Sequence, residues 1–280
     1  MEKELRQSIE KSGNNLHFEV SNFLDQNGWQ VELSPYYCDD ITKKPREVDI
    51  IANKAFSIFK YESPTIKALN NFKFYLFLEC KYFNSPFAVR VINNGNRDNI
   101  LSAFHVKGIN KEELFSKVRI EEIHHYFTEN AIGKLYDVPL MRETEKINTG
   151  LDSLIFDAIT GPIKSLLFFS EKIQQDAIFY PIVVYEGQKD GVYKLDLQGN
   201  EEKSKDFIFN VHYAFKKVLP GVAGEFPRIE NFFVDFIHKD NLESFLQTIE
   251  KEAEKIQRYL LGLRYHKENS SDNFNDHWEK

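Results

Sequence analysis

The 280-residue sequence has few of the features that mark secreted, membrane-spanning or modular proteins. It holds only two cysteines, Cys38 and Cys80, which form neither a metal-binding pattern nor a disulfide framework. No apolar run approaches the roughly 18 residues that cross a bilayer, and residues 1–15 lack the apolar stretch of a signal peptide. Internal repeats and Pro- or Gly-rich linkers are also missing from the sequence. These features favour a cytoplasmic protein in a reducing compartment.

A surplus of positive charge is also missing, since the formal net charge is −7. Phosphate binding is driven largely by Lys and Arg, so this balance argues against a surface that coats nucleic acid along its length. A local basic cleft remains compatible with it. The sequence does contain 42% hydrophobic residues, with 25 Phe and 13 Tyr, which is enough for a chain of this length to bury a core.

The predicted elements follow the order of an α/β protein with a mixed sheet flanked by helices. Hydrophobic periodicity and capping patterns predict helices at 3–27, 111–136, 150–172 and 241–262, with Gly161-Pro162 expected to break or kink the third. Alternation and apolar runs predict strands at 29–33, 47–53, 72–83, 178–187, 192–197, 205–216 and 231–238. The simplest organisation is one domain over 1–266 with a helical insertion at about 84–149, extra C-terminal strands with a last helix, and a polar tail at 267–280.

Two charged residues interrupt the most apolar predicted strand. Residues 75–83 read YLFLECKYF, and alternation places Glu79 and Lys81 on the same face, roughly 7 Å apart. On the preceding strand, VDIIA, Asp49 shares a face with Ile51. Two neighbouring strands could therefore bring Asp49, Glu79 and Lys81 together. Carboxylates that close repel each other unless a proton or a cation separates them, and Mg²⁺ prefers carboxylate, water and phosphate oxygens.

The helix before these strands carries a further acid at the edge of its apolar arc, Glu19, in the segment FEVSNFLDQNGWQV (18–31). This helix, the Asp49 strand and the Glu79-x-Lys81 strand resemble the PD-(D/E)XK nuclease superfamily, and in particular its restriction and Holliday-junction-resolvase-like members. The resemblance covers residues 10–83 and extends, by the order of elements, to the helix at 150–172 and the strand at 178–186. Val48 stands where the family commonly has proline.

The resemblance implies a restriction-endonuclease-like fold and metal-dependent hydrolysis of phosphodiester bonds in nucleic acid, with DNA favoured over RNA. Asp49 and Glu79 would hold Mg²⁺ or Mn²⁺, with the backbone carbonyl of Cys80 as a further ligand and Glu19 in support. Lys81 would position the attacking water and stabilise developing negative charge. Restriction or anti-phage defence is the first biological expectation, and repair or recombination the second. A homodimer or a place in a defence complex stays open.

Other interpretations of the same residues stay open as well. Glu79 and Lys81 are compatible with a plain cross-strand salt bridge, Asp49 with a turn at a strand end, and Glu19 with a solvated helix edge. Proteins of this fold also serve as catalytically silent binding or assembly subunits. A nuclease that stays inactive until a partner or ligand binds would have the same sequence features.

Several further polar groups have both a functional and a structural interpretation. EEIHH, at 121–125, lacks a third group of ligands at metal-binding spacing and is interpreted as an exposed helix face. The Tyr36-Tyr37 pair is expected to pack against a strand rather than to stack on bases. Six basic residues are interpreted either as scattered surface charges or as a rim that contacts phosphate. These are Lys43, Lys44, Arg46, Arg90, Arg97 and Lys107.

Overall fold

One large mixed sheet organises the protein, and helices pack on both of its faces. The computed structural model describes residues 13–39, 41–56, 72–93, 97–111, 124–129, 131–139, 149–187, 192–218 and 225–272. The main sheet has 11 strands. A separate sheet of two strands lies between the first and the second strand of the main sheet in the order of the chain. The predicted class, a mixed α/β fold with helices flanking the sheet, is confirmed.

The helices of the described residues are α1 (Gly13–Gln26), α2 (Arg97–Ala103), α3 (His125–Thr128), α4 (Thr149–Lys172) and α5 (Leu242–Asp272), with a 3₁₀ turn at Lys239–Asn241 before α5. The strands are β1 (Gln30–Leu33), β2 (Tyr36–Cys38), β3 (Pro45–Glu47), β4 (Ile50–Ala55), β5 (Lys73–Tyr82), β6 (Ala88–Asn93), β7 (His105–Lys107), β8 (Ala131–Asp137), β9 (Ala177–Glu186), β10 (Val192–Leu195), β11 (Glu201–Ser204), β12 (Phe207–Val218) and β13 (Glu225–His238).

The sheet order is β1-β4-β5-β9-β13-β12-β8-β6-β10-β11, and β7 pairs with the first residues of β9. β1, β4 and β5 form an antiparallel unit. β9 then pairs parallel with β5 along ten residues, from Lys73 with Ala177 to Tyr82 with Glu186. Helix α4, which precedes β9, makes the crossover that a parallel pair requires. The pair β2–β3 forms a short hairpin between β1 and β4.

Alternation along β5 divides the core into two apolar clusters, one on each face of the sheet. Phe74, Leu76, Leu78 and Cys80 pack with α1 and α5, whereas Tyr75 and Phe77 pack with α4. The sequence of β9, AIFYPIVVYE, is apolar almost throughout because both faces of this central strand are covered. Glu79 and Lys81, which follow Phe77 on the same side, therefore point towards α4.

Helix α4 is the most apolar helix of the described residues. It is the one helix among them that is long and apolar enough to cross a membrane by length and composition. Its buried side chains, which include Leu151, Ile155, Ile159, Ile163 and Leu166, belong to the core cluster on their face of the sheet. The predicted break at Gly161-Pro162 does not occur, because α4 continues through both residues.

The seven predicted strands are all present, although β13 begins six residues earlier than predicted, and β2, β3 and β11 are additions. The predicted helical insertion at about 84–149 is only partly helical where the structure describes it. It contains the short helices α2 and α3 and also strands β6, β7 and β8, which join the main sheet. Ala131–Asp137 was expected to end a helix but pairs with β6 and β12, because partners distant in sequence outweigh local helical periodicity.

The ends of the chain differ in smaller ways from the prediction. Helix α1 matches the predicted helix from Gly13 onwards, while residues 1–12 lie outside the described residues. Helix α5 continues to Asp272, six residues into the predicted polar tail, and residues 273–280 lie outside the described residues.

Candidate metal centre

Asp49 stands directly before β4, at the end of the β4–β5 pair. Ile50 lies opposite Leu78, so one further step of the same antiparallel register sets Asp49 opposite Glu79. The main chain of β5 holds the side chain in place, because Asp49 Oδ2 accepts the Cys80 N–H at 2.7 Å. Strand pairing therefore brings the two carboxylates to the same end of the sheet.

Glu79 and Lys81 are neighbours on the face of β5 that α4 covers. Lys81 Nζ donates to Glu79 Oε1 at 2.5 Å, and the two side chains are only 17% and 12% exposed. The second oxygen, Glu79 Oε2, is buried, and no donor in the described part of the chain reaches it. A buried acceptor without a donor is costly, so this oxygen is suited to a proton or a cation.

Helix α4 approaches the Glu79 carboxylate at Gly161. A Cβ atom at Gly161 would lie 3.0 Å from Glu79 Oε2 and 3.2 Å from Glu79 Cδ. Because these distances are below ordinary van der Waals separation, a larger residue at this position would push the Glu79 carboxylate by a few tenths of an ångström, and glycine allows the close approach. From the sequence, Gly161 was expected only to break or kink the helix, because no local pattern connects it with Glu79.

The electrostatics of the cluster are those of a buried carboxylate with further negative charge nearby. Burial raises the pKa of Glu79 from 4.5 to about 7; Lys81 opposes this rise, whereas the charges of Asp49 and Asp157 add to it. Burial alone would lower the pKa of Lys81, but Glu79 and Asp49 outweigh burial, so that it is raised. Lys81 therefore stays charged at neutral pH, while Glu79 is divided between its two protonation states.

The donors at this end of the sheet fit a hard divalent cation. Asp49 is fixed by the backbone, and Glu79 has an oxygen that no described donor reaches. Burial, with the charges of Asp49 and Glu79, raises the pKa of the Cys80 thiol well above its usual range, and the side chain belongs to the cluster on the opposite face. Cys80 can therefore contribute only its backbone carbonyl to an ion beside Asp49 and Glu79.

No family model, curated protein or solved structure matches this chain. What the site can do chemically is therefore judged on its own residues. Two carboxylates at one strand end, with a buried lysine two residues further on, form a donor set that can hold a divalent ion and position a water.

Glu19, the fourth predicted site residue, makes its contacts elsewhere. Its side chain is 51% exposed and lies 3.5 Å from Lys239 Nζ, and Asn15 Nδ2 donates to it at 2.7 Å. Lys239 also bonds to Glu186 at 2.6 Å. Of the four predicted residues, the structure brings Asp49, Glu79 and Lys81 together and puts Glu19 in a separate ion-pair group, so support of the metal by Glu19 stays a prediction.

The β2–β3 hairpin is anchored beside the cluster. Tyr37 is buried against Phe168 of α4, and its pKa is raised by burial and then by the charge of Glu79. Asp39 Oδ2 lies 3.0 Å from Lys164 Nζ of α4. Packing was the expected role of Tyr37, whereas the Asp39–Lys164 pair was not anticipated, because its two partners lie 125 positions apart in the sequence.

Five of the six basic residues of the predicted rim fall into two groups. Lys43, Lys44 and Arg46 are exposed on the β2–β3 hairpin. Arg90 pairs with Asp137 at 2.6 Å, and Lys107 donates to the carbonyls of Ser170 and Glu171. The side chain of Arg97 lies outside the described residues. The hairpin is therefore the basic segment nearest to the candidate site along the chain.

The interpretation of His124 and His125 as part of an exposed helix face is wrong. His124 is fully buried and the His125 side chain is 15% exposed. Both lie on the face of the sheet opposite Glu79, where they contact Glu252 of α5. Their burial depends on residues that are distant in sequence, including Tyr180, Asp235 and Glu252, and no local pattern reveals these contacts.

Proposed function

We propose that the protein is a metal-dependent endonuclease that hydrolyses phosphodiester bonds in nucleic acid, with DNA as the favoured substrate. The observation that supports this most directly is the convergence of Asp49, Glu79 and Lys81 at one strand end. The order α1-β1-β4-β5-α4-β9, with antiparallel β1-β4-β5 and parallel β5–β9 pairing, also agrees with the restriction-endonuclease-like fold that we propose.

Each residue of the cluster has a distinct task in this proposal. Asp49 and Glu79 would hold Mg²⁺ or Mn²⁺, with the Cys80 carbonyl as a further oxygen ligand. The bound ion would act as a Lewis acid and would lower the pKa of a water molecule. Lys81, which keeps its proton at neutral pH, would orient the attacking water and stabilise negative charge on the scissile phosphate.

The arrangement of charge around the cluster supports a polyanionic substrate in an otherwise acidic protein. The exposed hairpin residues Lys43, Lys44 and Arg46 would contact phosphates beside the site. Restriction or anti-phage defence is the biological role we propose first, with action as a homodimer or within a defence complex.

A cleavage assay tests the proposal. Supercoiled plasmid, linear duplex, single-stranded DNA and RNA are incubated with Mg²⁺, Mn²⁺ or EDTA. We expect cleavage that EDTA abolishes and that falls by about 100-fold or more in Asp49→Ala and in Lys81→Ala. Asp25→Ala and Lys251→Ala, both at exposed helix positions, serve as matched controls and should cleave like the wild type. Activity that survives both site substitutions would overturn the site assignment.

One observation favours a second function, that of a catalytically silent binding or assembly subunit. The direct contact between Lys81 and Glu79 lets these two side chains neutralise each other without a metal. For a silent subunit, none of the substrates is cleaved, but nucleic acid or a partner protein still binds. Mg²⁺ or Mn²⁺ then binds to the wild type and to Asp49→Ala equally weakly.

A further inference from the structure

A second cluster of buried polar side chains lies on the face of the sheet opposite Glu79. It joins His124 and His125 at the start of α3 to Asp235 of β13 and Glu252 of α5. His124, Asp235 and Glu252 are 0%, 1% and 3% exposed. Burying two carboxylates and two imidazoles at one point costs free energy unless they satisfy one another or a ligand. The proposed nuclease site uses none of them.

Three ligand atoms in this cluster have the spacing of a metal coordination sphere. His125 Nδ1 lies 3.1 Å from Glu252 Oε2, and His124 Nε2 lies 3.6 Å from the same oxygen. One ligand atom from each of the three residues lies within 4.8 Å of the other two. Ligands at about 2.1 Å from a tetrahedral ion are about 3.4 Å apart, so small side-chain adjustments would place one ion between these atoms.

The contacts behind the ligands also have the form found around metal ions. His125 Nε2 lies 3.1 Å from Asp235 Oδ1, and the Tyr126 hydroxyl donates to Asp235 Oδ2 at 3.0 Å. A carboxylate on the second ring nitrogen fixes the tautomer and the ring plane of a metal-binding histidine. Asp235 is placed to do this for His125 when Nδ1 faces the ion.

The cluster holds an excess of acidic groups. The carboxylates of Glu252 and Asp235 lie 3.0 and 3.1 Å from the two ring nitrogens of His125. A divalent ion bound at this point would balance the charges of both buried carboxylates.

A metal ion at His124 competes with two hydrogen bonds of the imidazole ring. Its Nδ1 accepts the Tyr126 N–H at 3.2 Å, so the proton of neutral His124 sits on Nε2, which faces the Tyr180 hydroxyl at 2.9 Å. Coordination through Nε2 moves that proton to Nδ1, so the bond to the metal replaces both of these contacts.

We propose that His124, His125 and Glu252 form a binding site for a divalent transition-metal ion such as Zn²⁺, with Asp235 as the residue that orients His125. Two imidazoles and one carboxylate suit Zn²⁺, whereas Mg²⁺ prefers oxygen ligands alone. A cavity of about 240 Å³, lined by His125, Asp235, Asp206 and Phe245, gives access from one side. The ion would tie α3 and α5 to the sheet and leave a coordination position for water.

Binding of Zn²⁺ to the metal-free full-length protein tests this proposal. It is measured by calorimetry and by thermal unfolding, both in excess Mg²⁺, which is expected to occupy the candidate site at Asp49 and Glu79. We expect about one Zn²⁺ per chain and a higher Tm for the wild type. Glu254→Gln, an exposed position on the same helix, and Asp49→Asn should behave like the wild type. Glu252→Gln and His125→Gln should weaken Zn²⁺ binding by about tenfold or more.

The outcomes separate this site from the nuclease proposal. A wild-type protein that binds no stoichiometric Zn²⁺ overturns the second site, and so does unchanged affinity in folded Glu252→Gln. Loss of the zinc in Asp49→Asn would assign it to the other face. If the Glu252 and His125 variants do not fold, X-ray absorption of the zinc-loaded wild type tests the site instead. Two imidazole ligands together with oxygen ligands are expected, and a shell of oxygen ligands alone would contradict the proposal.

Discussion

Replacing Glu79 by glutamine removes a buried acid whose protonation the fold controls. In the folded protein the Glu79 pKa is raised from 4.5 to about 7, chiefly by burial. The folded state therefore holds this proton more firmly than the unfolded chain does. The contribution to stability is fully present below pH 4.5 and is lost as the pH rises through about 7.

The difference between the folded and unfolded pKa of Glu79 sets the magnitude. Each unit of this difference corresponds to about 1.4 kcal/mol, so the full loss of stability is about 3 kcal/mol. Of this loss, about 2 to 3 kcal/mol falls between pH 5 and 8. Lys81 stays protonated over this range because its pKa is raised. Asp49 stays beside Lys81 in Glu79→Gln, so we expect Lys81 to keep its proton there as well, and the loss of its partner adds an offset that does not vary with pH.

The assay is urea unfolding of metal-free wild type and Glu79→Gln, followed by circular dichroism at each pH unit from 5 to 8. The free energy of unfolding of the wild type should fall by about 2 to 3 kcal/mol relative to the variant as the pH rises. Glu32→Gln, at an exposed position of β1, controls for the loss of one surface carboxylate. A difference between Glu79→Gln and wild type that stays constant from pH 5 to 8 would refute the buried, charge-repelled environment assigned to Glu79.

Three further predictions concern the same cluster. Mg²⁺ should raise the Tm of the wild type more at pH 8 than at pH 6, because it binds ionised Glu79; an equal rise at both values contradicts this. Gly161→Ala should weaken Mg²⁺ binding, while its free energy of unfolding should change by only about 1 kcal/mol, since the better helix propensity of alanine offsets the contact with Glu79. Gly150→Ala, in the first turn of α4, is the control. Unchanged Mg²⁺ affinity in Gly161→Ala would count against the close approach of α4 to Glu79. Glu19→Gln should keep cleavage within about threefold of the wild type, since Glu19 pairs with Lys239; a loss as large as that of Asp49→Ala would show that Glu19 reaches the site with substrate bound.

The Asp49, Glu79 and Lys81 cluster was predictable because its information is local. Period-two alternation fixes which side chains share a face of a strand, and neighbouring antiparallel strands place Asp49 opposite Glu79. An apolar strand with two charges on one face carries this signal within nine residues. Seven of the 11 strands of the main sheet were predicted from the same alternation and from short apolar runs.

The rest depended on contacts between distant parts of the chain. β8 has too little local preference to be recognised as a strand, and its pairing with β6 and β12 decides its conformation. His124 and His125 looked like a solvated helix face because Asp235 and Glu252, which bury and bind them, lie more than 100 residues further on. For Glu19, the local element was predicted but the contact was not. Its helix was predicted correctly, whereas its ion pair with Lys239 depends on a distant part of the chain and was not.

The rate of phosphodiester cleavage tests the central claim most directly. Supercoiled plasmid is incubated with wild type and with Lys81→Ala at equal concentrations, with Mg²⁺ and with EDTA, after circular dichroism has shown that both are folded. The proposed site predicts Mg²⁺-dependent nicking or linearisation by the wild type and a rate lower by about 100-fold in the variant. Equal cleavage by the two proteins, or cleavage that persists in EDTA, would contradict a metal-dependent nuclease centred on Asp49, Glu79 and Lys81.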